Sequence, residues 1–268
     1  MKRIKLHRCA WMITLCAVLV AAPAARAQIQ GTLTLKSGPR TGLLRWQGGT
    51  KSYVLSDRGI DVTIALADVV KLSVVRPRDL DPAIKAVQAN TGAAAIPTLT
   101  KIASDYFMLQ HDEEATRWLA EAYLQANNGA DAIRAIERIT AVRPEAAYLG
   151  DLATVYWRAL LRENRAAKLE DMLEQAVKSG NRLASATALI LRGDLILKVG
   201  DTQEHHIRAL KDGYLRVVTL YRNIREVQPE ANYKAAKSLE KLGMTARAQE
   251  RRETIRKEFP GSEWAGKP

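Results

Sequence analysis

The chain has 268 residues, 47% of them hydrophobic, with 41 Lys and Arg against 29 Asp and Glu (formal net charge +12) and two Cys. That length is ample for one large or two modest domains held by apolar cores alone. Two cysteines are too few for a disulfide framework.

The chain opens with Lys2, Arg3, Lys5 and Arg8, followed by an apolar run over residues 10–22, a break at Pro23 and the triplet Ala25-Arg26-Ala27. A basic start, a short apolar run and small residues at a cleavage site are the pattern of a secretory signal, here residues 1–27, cut after Ala27. The run is shorter than the ~20 residues that span a bilayer. Cys9 and Cys16 both lie in this segment. The mature chain is therefore expected to be periplasmic or secreted, not transmembrane, and without disulfide or thiolate chemistry. Its remaining excess of positive charge is concentrated in residues 28–76, which hold seven basic and three acidic residues. A mild positive field suits an anionic neighbour, such as a membrane surface, a cell-wall polymer or an acidic protein, and serves plain solubility equally.

Residues 28–76 carry a period of two. Ile29, Gly31, Leu33 and Leu35 alternate along a first strand, and Gly38-Pro39 predicts a turn. Leu43, Leu44 and Trp46 mark a second strand, and Tyr53, Val54 and Leu55 a third. Asp57-Arg58-Gly59 turns the chain into a fourth, with Ile60, Val62, Ile64 and Leu66 in alternation. A helical turn at 67–69 precedes a last strand over residues 70–75. Five short strands with tight turns predict a small meander closed as a barrel. The order of the pieces resembles an SH3-like or Sm-like barrel, but without the Asn that an Sm-type base-reading loop needs. Arg45, Trp46, Lys51 and Tyr53 are residue types that neutralise and stack on a nucleic acid strand. Trp46 and Tyr53 also flank a hairpin and can pack across it. Given export, no nucleic acid partner is expected.

From residue 77 to 268 the period lengthens. Asp81-Pro82 predicts a helix start, with Asp as the cap and Pro at the first position, running to about Asn90. Gly92 breaks it, and a second helix is expected from Pro97 to about Gln110. Residues 113–144 then read as a helix, a break at Asn127-Asn128-Gly129, a second helix and a stop at Pro144. Leu119, Ala120 and Tyr123 share one face of the first; Ala132, Ile136 and Ile139 share one face of the second. A third pair spans residues 147–179. Its first helix shows Ala153, Trp157, Leu160 and Leu161 on one face, and its second Ala166, Leu169, Met172, Leu173 and Ala176. A fourth begins near Ala184, with Gly193 at a position of close approach and Gly200 at the turn. Its second helix carries Ala209, Leu210, Tyr214, Val217 and Val218, starts late and is expected to reach Pro229. The fifth carries Ala235, Ala236, Leu239, Gly243, Ala248, Ile255 and Pro260, and its FPGSEWA ending suggests a further helix start.

The spacing of small and large residues in the second and fifth pairs resembles the tetratricopeptide repeat (TPR), a helix hairpin of about 34 residues. The resemblance extends over residues 82–264 and is looser in the other pairs. It implies a mainly α fold, a TPR-like α-solenoid of about five helix hairpins, preceded by the five-stranded β-barrel. One hairpin cannot bury its own apolar face, whereas stacked neighbours bury each other's. The resemblance also implies a concave groove lined by first-helix residues: Arg117, Glu121, Leu124, Gln125 and Arg158, then Tyr233, Lys237 and Lys241. This set is mixed in charge and lacks the Lys/Asn arrangement with which such repeats clamp a C-terminal carboxylate.

Catalytic signatures are missing. No HExxH, G-x-S-x-G, Walker loop or strand-linked G-x-G-x-x-G occurs. His111-Asp112-Glu113-Glu114 has ligand-type residues, but at a predicted helix start, where carboxylates cap amides and face the helix dipole. Adjacent His205 and His206 point some 100° apart on a helix and chelate poorly; Asp201 and Glu204 have the spacing of a capping box. The expectation is a non-enzymatic scaffold, without cofactor or metal, binding a protein or peptide partner of the cell envelope in its groove. The alternative is an envelope component whose basic β unit binds an anionic polymer or membrane surface.

Overall fold

The computed structural model describes residues 28–267; the expected signal segment lies outside them. The chain is mainly helical, with an N-terminal five-stranded antiparallel sheet followed by about ten helices. The strands are β1 (Ile29–Leu35), β2 (Gly38–Gln47), β3 (Ser52–Asp57), β4 (Ile60–Ala65) and β5 (Val69–Val74). They pair in the order β4-β3-β2-β1-β5, so β4 and β5 are the edges and the ladder is not closed between them. The first turn falls at Lys36-Ser37 rather than Gly38-Pro39. Gly38 (φ +120°) opens β2, and Pro39 sits opposite Thr34 near the strand start, where a residue without N–H is tolerated. Trp46 and Tyr53 face each other across β2 and β3, with ring centroids 5.0 Å apart and edge to face. Both are buried, so packing across the hairpin is the arrangement realised.

The helices are α1 (Leu80–Gln88), α2 (Ile96–Asp105), α3 (Asp112–Gln125), α4 (Gly129–Thr140), α5 (Gly150–Arg162), α6 (Ala166–Lys178), α7 (Arg182–Val199), α8 (Gln203–Ala209), α9 (Leu215–Leu220), α10 (Gln228–Lys241) and α11 (Thr245–Glu258). Side-chain caps fix several starts. Asn128 Oδ1 accepts from Asp131 N at α4, and Asn181 Oδ1 from Ala184 N at α7. The apolar faces expected from spacing are buried at Ala132, Ile136, Ile139, Trp157, Leu160, Leu169 and Leu173. Trp157 also donates its Nε1–H to the Ala147 carbonyl at 2.9 Å, so its polar edge is satisfied in the core. Ala166, by contrast, is exposed at the start of α6.

Four helix limits differ from the sequence expectation. α1 begins at Leu80, and Pro82 is its third residue, still within the first turn, where no helical N–H partner is lost. α2 ends at Asp105, because residues 106–111 leave the helix to pack on the sheet. The second helix of the fourth pair is divided into α8, a π-helical turn (Leu210–Tyr214) and α9, and stops at Leu220. There Gln228 Nε2 donates to the Val217 and Tyr221 carbonyls, closing the helix end, and Pro229 belongs to the first turn of α10. Residues 260–266 form turns rather than a new helix.

Packing follows chain order. α3 packs on α4, α4 on α5, α5 on α6 and α6 on α7, and alternate helices also touch, α1 with α3, α3 with α5 and α5 with α7. α10 contacts both α9 and α11. The π-helical turn lies against α7 where two glycines meet. A Cβ on Gly193 would stand 2.4 Å from the Tyr214 ring, and one on Gly213 2.8 Å from the Leu189 carbonyl. The two backbones touch there, which only side-chain-free residues permit.

The sheet core is completed by the α2–α3 connection. Met108 (φ +60°) and Leu109 are buried at 6% and 1% exposure among Leu33, Leu44, Trp46, Tyr53 and Ile64. Tyr53 Oη donates to the Met108 carbonyl at 2.8 Å, and Gln110 Oε1 accepts from Val74 N at 3.1 Å. Sheet and helices therefore share one apolar seam. Truncation of Leu109 to Ala is expected to cost about 2–5 kcal/mol. Hydrogen exchange should then speed up together in the β2–β3 amides and the first turns of α3; acceleration of one alone would show that the two parts are held independently.

Candidate functional site

The eight residues predicted to line the groove fall into two groups. In the first, side chains of α3 and α5 cross-link. Arg117 Nη1 lies 3.3 Å from Asp151 Oδ2, with its guanidinium 4.7 Å from the Trp118 ring. Arg158 grips Glu121 in a two-point bond, Nη2 to Oε2 at 2.5 Å and Nη1 to Oε1 at 3.2 Å. Arg162, which the sequence reading missed, donates to the Leu124 carbonyl at 2.7 Å. Gln125 turns to the preceding pair. Its Nε2 donates to the Val87 carbonyl at 2.8 Å and its Oε1 accepts from Gly92 N at 3.3 Å, so it is a structural clasp rather than a groove ligand.

The second group lies on α10. The Tyr233 ring sits 5.0 Å from Trp264, and Arg252 and Lys237 lie 5.6 and 5.8 Å from the same ring. The chain's own 260–267 segment thus covers the Tyr233 face, which the sequence reading placed open to a partner. Lys241 reaches Asp201 at 3.3 Å. No hydrogen bond or ion pair among the described residues joins the two groups.

Two polar clusters went unpredicted. On α7 and α10, Lys234 Nζ lies 2.5 Å from Asp194 Oδ2 and 2.6 Å from Glu230 Oε1, while Tyr214 Oη donates to Asp194 Oδ1 at 2.8 Å. Burial pulls the Lys234 pKa down, but the two carboxylates outweigh it and hold the ammonium above its ordinary value. Burial, reinforced by Asp194, raises the Tyr214 phenol well above its ordinary range, keeping it a donor.

The second cluster stands where helix capping was expected. His111 precedes α3 in left-handed backbone (φ +69°) and makes no side-chain cap. Asp112, 1% exposed, instead accepts from Met108 N at 2.9 Å and from Arg143 Nη2 at 2.6 Å. This carboxylate ties the sheet-filling loop to the end of α4. Burial, then the Asp112 charge, raises the neighbouring Tyr53 phenol, with Arg143 opposing. A cleft of about 580 Å³ opens beside it between the starts of α3 and α5, lined by Glu113, Arg117 and Asp151 among others. Burial raises the Glu113 carboxyl above its ordinary value.

At the other histidines, Thr202 rather than Asp201 caps α8, accepting from His205 N at 3.4 Å. Asp201 is drawn away to the buried His206, Nε2 to Oδ1 at 2.6 Å. Among the described residues, no three His, Cys, Asp or Glu side chains converge as a metal site, and no helix is long and apolar enough to cross a membrane. No protein-family model matches the chain, and no curated protein matches it significantly.

Arg143→Ala would leave the Asp112 charge buried without its cation, and is expected to cost about 3–5 kcal/mol in urea titration. A cost below about 1 kcal/mol would mean that water replaces the guanidinium. The link from the sheet to α1 and α3 is pH-sensitive in a defined sense. Arg76 donates to Glu114 at 2.6 and 2.8 Å and holds that carboxyl below its ordinary value of 4.5, against opposing burial. A carboxyl lowered on folding stabilises fully above its unfolded value, and the contribution is lost as pH falls through the lower folded one. Glu114→Gln should therefore flatten the acid-side loss of stability followed by circular dichroism, with little change near neutrality.

Proposed function

We propose that the helical part is a TPR-like solenoid that binds a protein or peptide segment along the face formed by its first helices. On this reading the chain is an exported, non-enzymatic scaffold of the cell envelope. The observation that carries the reading is the packing order. α1, α3 and α5 touch their successors α3, α5 and α7 in turn, while α4 contacts both α3 and α5 and α6 both α5 and α7. On this reading the first helices share one face, and the cross-links from Arg117 to Asp151 and from Arg158 to Glu121, both between α3 and α5, support it. Extended, mixed-charge faces of this kind bind segments of chain, and selectivity comes from the placement of their polar groups.

A second reading assigns an anionic polymer or membrane surface to the sheet. Lys36, Arg40, Lys51, Arg58 and Lys71 form no ion pair among the described residues, whereas Arg45 is engaged by Asp61 at 3.2 Å.

The two separate under one double substitution, Glu121→Arg with Arg158→Glu, which preserves the interhelical pair while inverting its orientation. On the groove reading, a partner identified by cross-linking to the wild-type face loses at least about tenfold in affinity, with the melting temperature unchanged. Undiminished partner affinity would overturn the groove reading. Binding to anionic vesicles that survives the swap and is abolished by Lys51→Glu with Arg58→Glu would favour the sheet.

A further inference from the structure

A cleft of about 610 Å³ lies between α9 and α11 with α10 as its floor, and none of the residues expected to line the groove borders it. Its volume is in the range that holds a small organic ligand rather than a single ion. Asn232, 1% exposed, lines this floor. Its Nδ2 donates to the Gln228 carbonyl at 2.9 Å, but its Oδ1 is buried and accepts no hydrogen bond among the described residues. A buried amide oxygen without a donor is costly, and a ligand N–H would relieve that cost.

The charged lining narrows the ligand. Arg251 pairs with Glu250 at 2.5 Å. Arg225 stacks 4.7 Å from the Phe259 ring and donates to the Glu258 carbonyl oxygen. That leaves the Arg222 guanidinium, after α9, and the Glu258 carboxylate, ending α11, each without an ion-pair partner among the described residues. Arg225 also lacks an ion-pair partner but is held by Phe259 and the Glu258 carbonyl, so the cleft offers one cation free of any such contact, one unpaired carboxylate and one buried acceptor. We infer that this cleft binds a short zwitterionic peptide, its carboxylate at Arg222, its ammonium at Glu258 and an intervening N–H on Asn232 Oδ1. The inference does not depend on the groove reading, since it uses none of the same residues.

The test is calorimetric titration of the full chain with alanyl-glutaminyl-alanine carrying free ends, an acetylated amino end or an amidated carboxyl end. Each block should weaken binding about tenfold, the worth of one hydrogen bond to a charged group. Arg222→Gln should weaken binding of the free tripeptide to the same extent and leave that of the amidated one unchanged. Glu258→Gln should do the converse, sparing only the acetylated one. Both positions are exposed, so neither substitution endangers folding. Asn232→Leu should abolish binding of all three; should that variant fail to fold, the two rim substitutions decide alone. No heat with the free tripeptide at millimolar concentration, or variants that do not follow the matching of end to residue, would overturn the inference.

Discussion

The sheet is completed by side chains that are not its own. Five strands carrying fewer than 50 residues bury too little surface to stand alone comfortably, and the ladder leaves both β4 and β5 unpaired on one side. Met108 and Leu109 fill the space that remains, inserted from the helical part by a loop that takes left-handed backbone at Met108 and His111. Each of those two positions is conformationally unfavourable for a residue with a side chain. The loop is held in spite of this by Tyr53 on one side and by Asp112 with Arg143 on the other. Much of the remaining architecture inherits its placement from this seam, because α3 starts directly from it and α5 packs on α3.

This seam is also where sequence reasoning stopped short, for a physical reason. Residues 101–110 keep apolar side chains at helical spacing, so periodicity alone extends α2 through Leu109. What ends the helix is a tertiary reward, the burial of Met108 and Leu109 against strands more than 30 residues earlier, and no local residue type announces it. The same holds for Asp112. A carboxylate at a helix start is most simply a cap, and only its arginine 31 residues away shows otherwise. Thr202 and Asp201 are both competent caps; the choice between them is made by His206, buried one turn later.

Period-two and helical patterns elsewhere were legible because each follows from a single face being buried. Leu33, Leu44, Tyr53 and Ile64 on the strands, and Ala132, Ile136 and Ile139 on α4, lie where spacing put them. Gly193 was legible as a point of close approach, though not the π-helical turn that it admits. Of the candidate face, Glu121 and Arg158 meet across α3 and α5, while Arg117 pairs instead with Asp151 at the start of α5. Gln125 has the right spacing and the wrong partner, since its amide is taken by α1 and the turn after it. The covering of Tyr233 by Trp264 was out of reach, because nothing in the spacing of α10 reports where a later turn will fold.

On the proposed reading, the internal pairing of the candidate face bears on how a partner would be recognised. Arg117 with Asp151 and Arg158 with Glu121 are partly exposed pairs, in which solvent screens the attraction. Exposed pairs contribute at most about 1 kcal/mol each. A partner's carboxylate or guanidinium can therefore exchange with one member at low cost, leaving the helices in place. The buried Asp112–Arg143 bond cannot be exchanged in that way, since the carboxylate is 2% exposed and opening it strands a charge. The molecule thus separates a rigid polar joint, which orients the sheet against the helices, from a labile polar surface, which can be rewritten by contact. Adaptable charge on an invariant frame is what selective binding of a flexible segment requires, because the frame supplies preorganisation while the surface supplies complementarity.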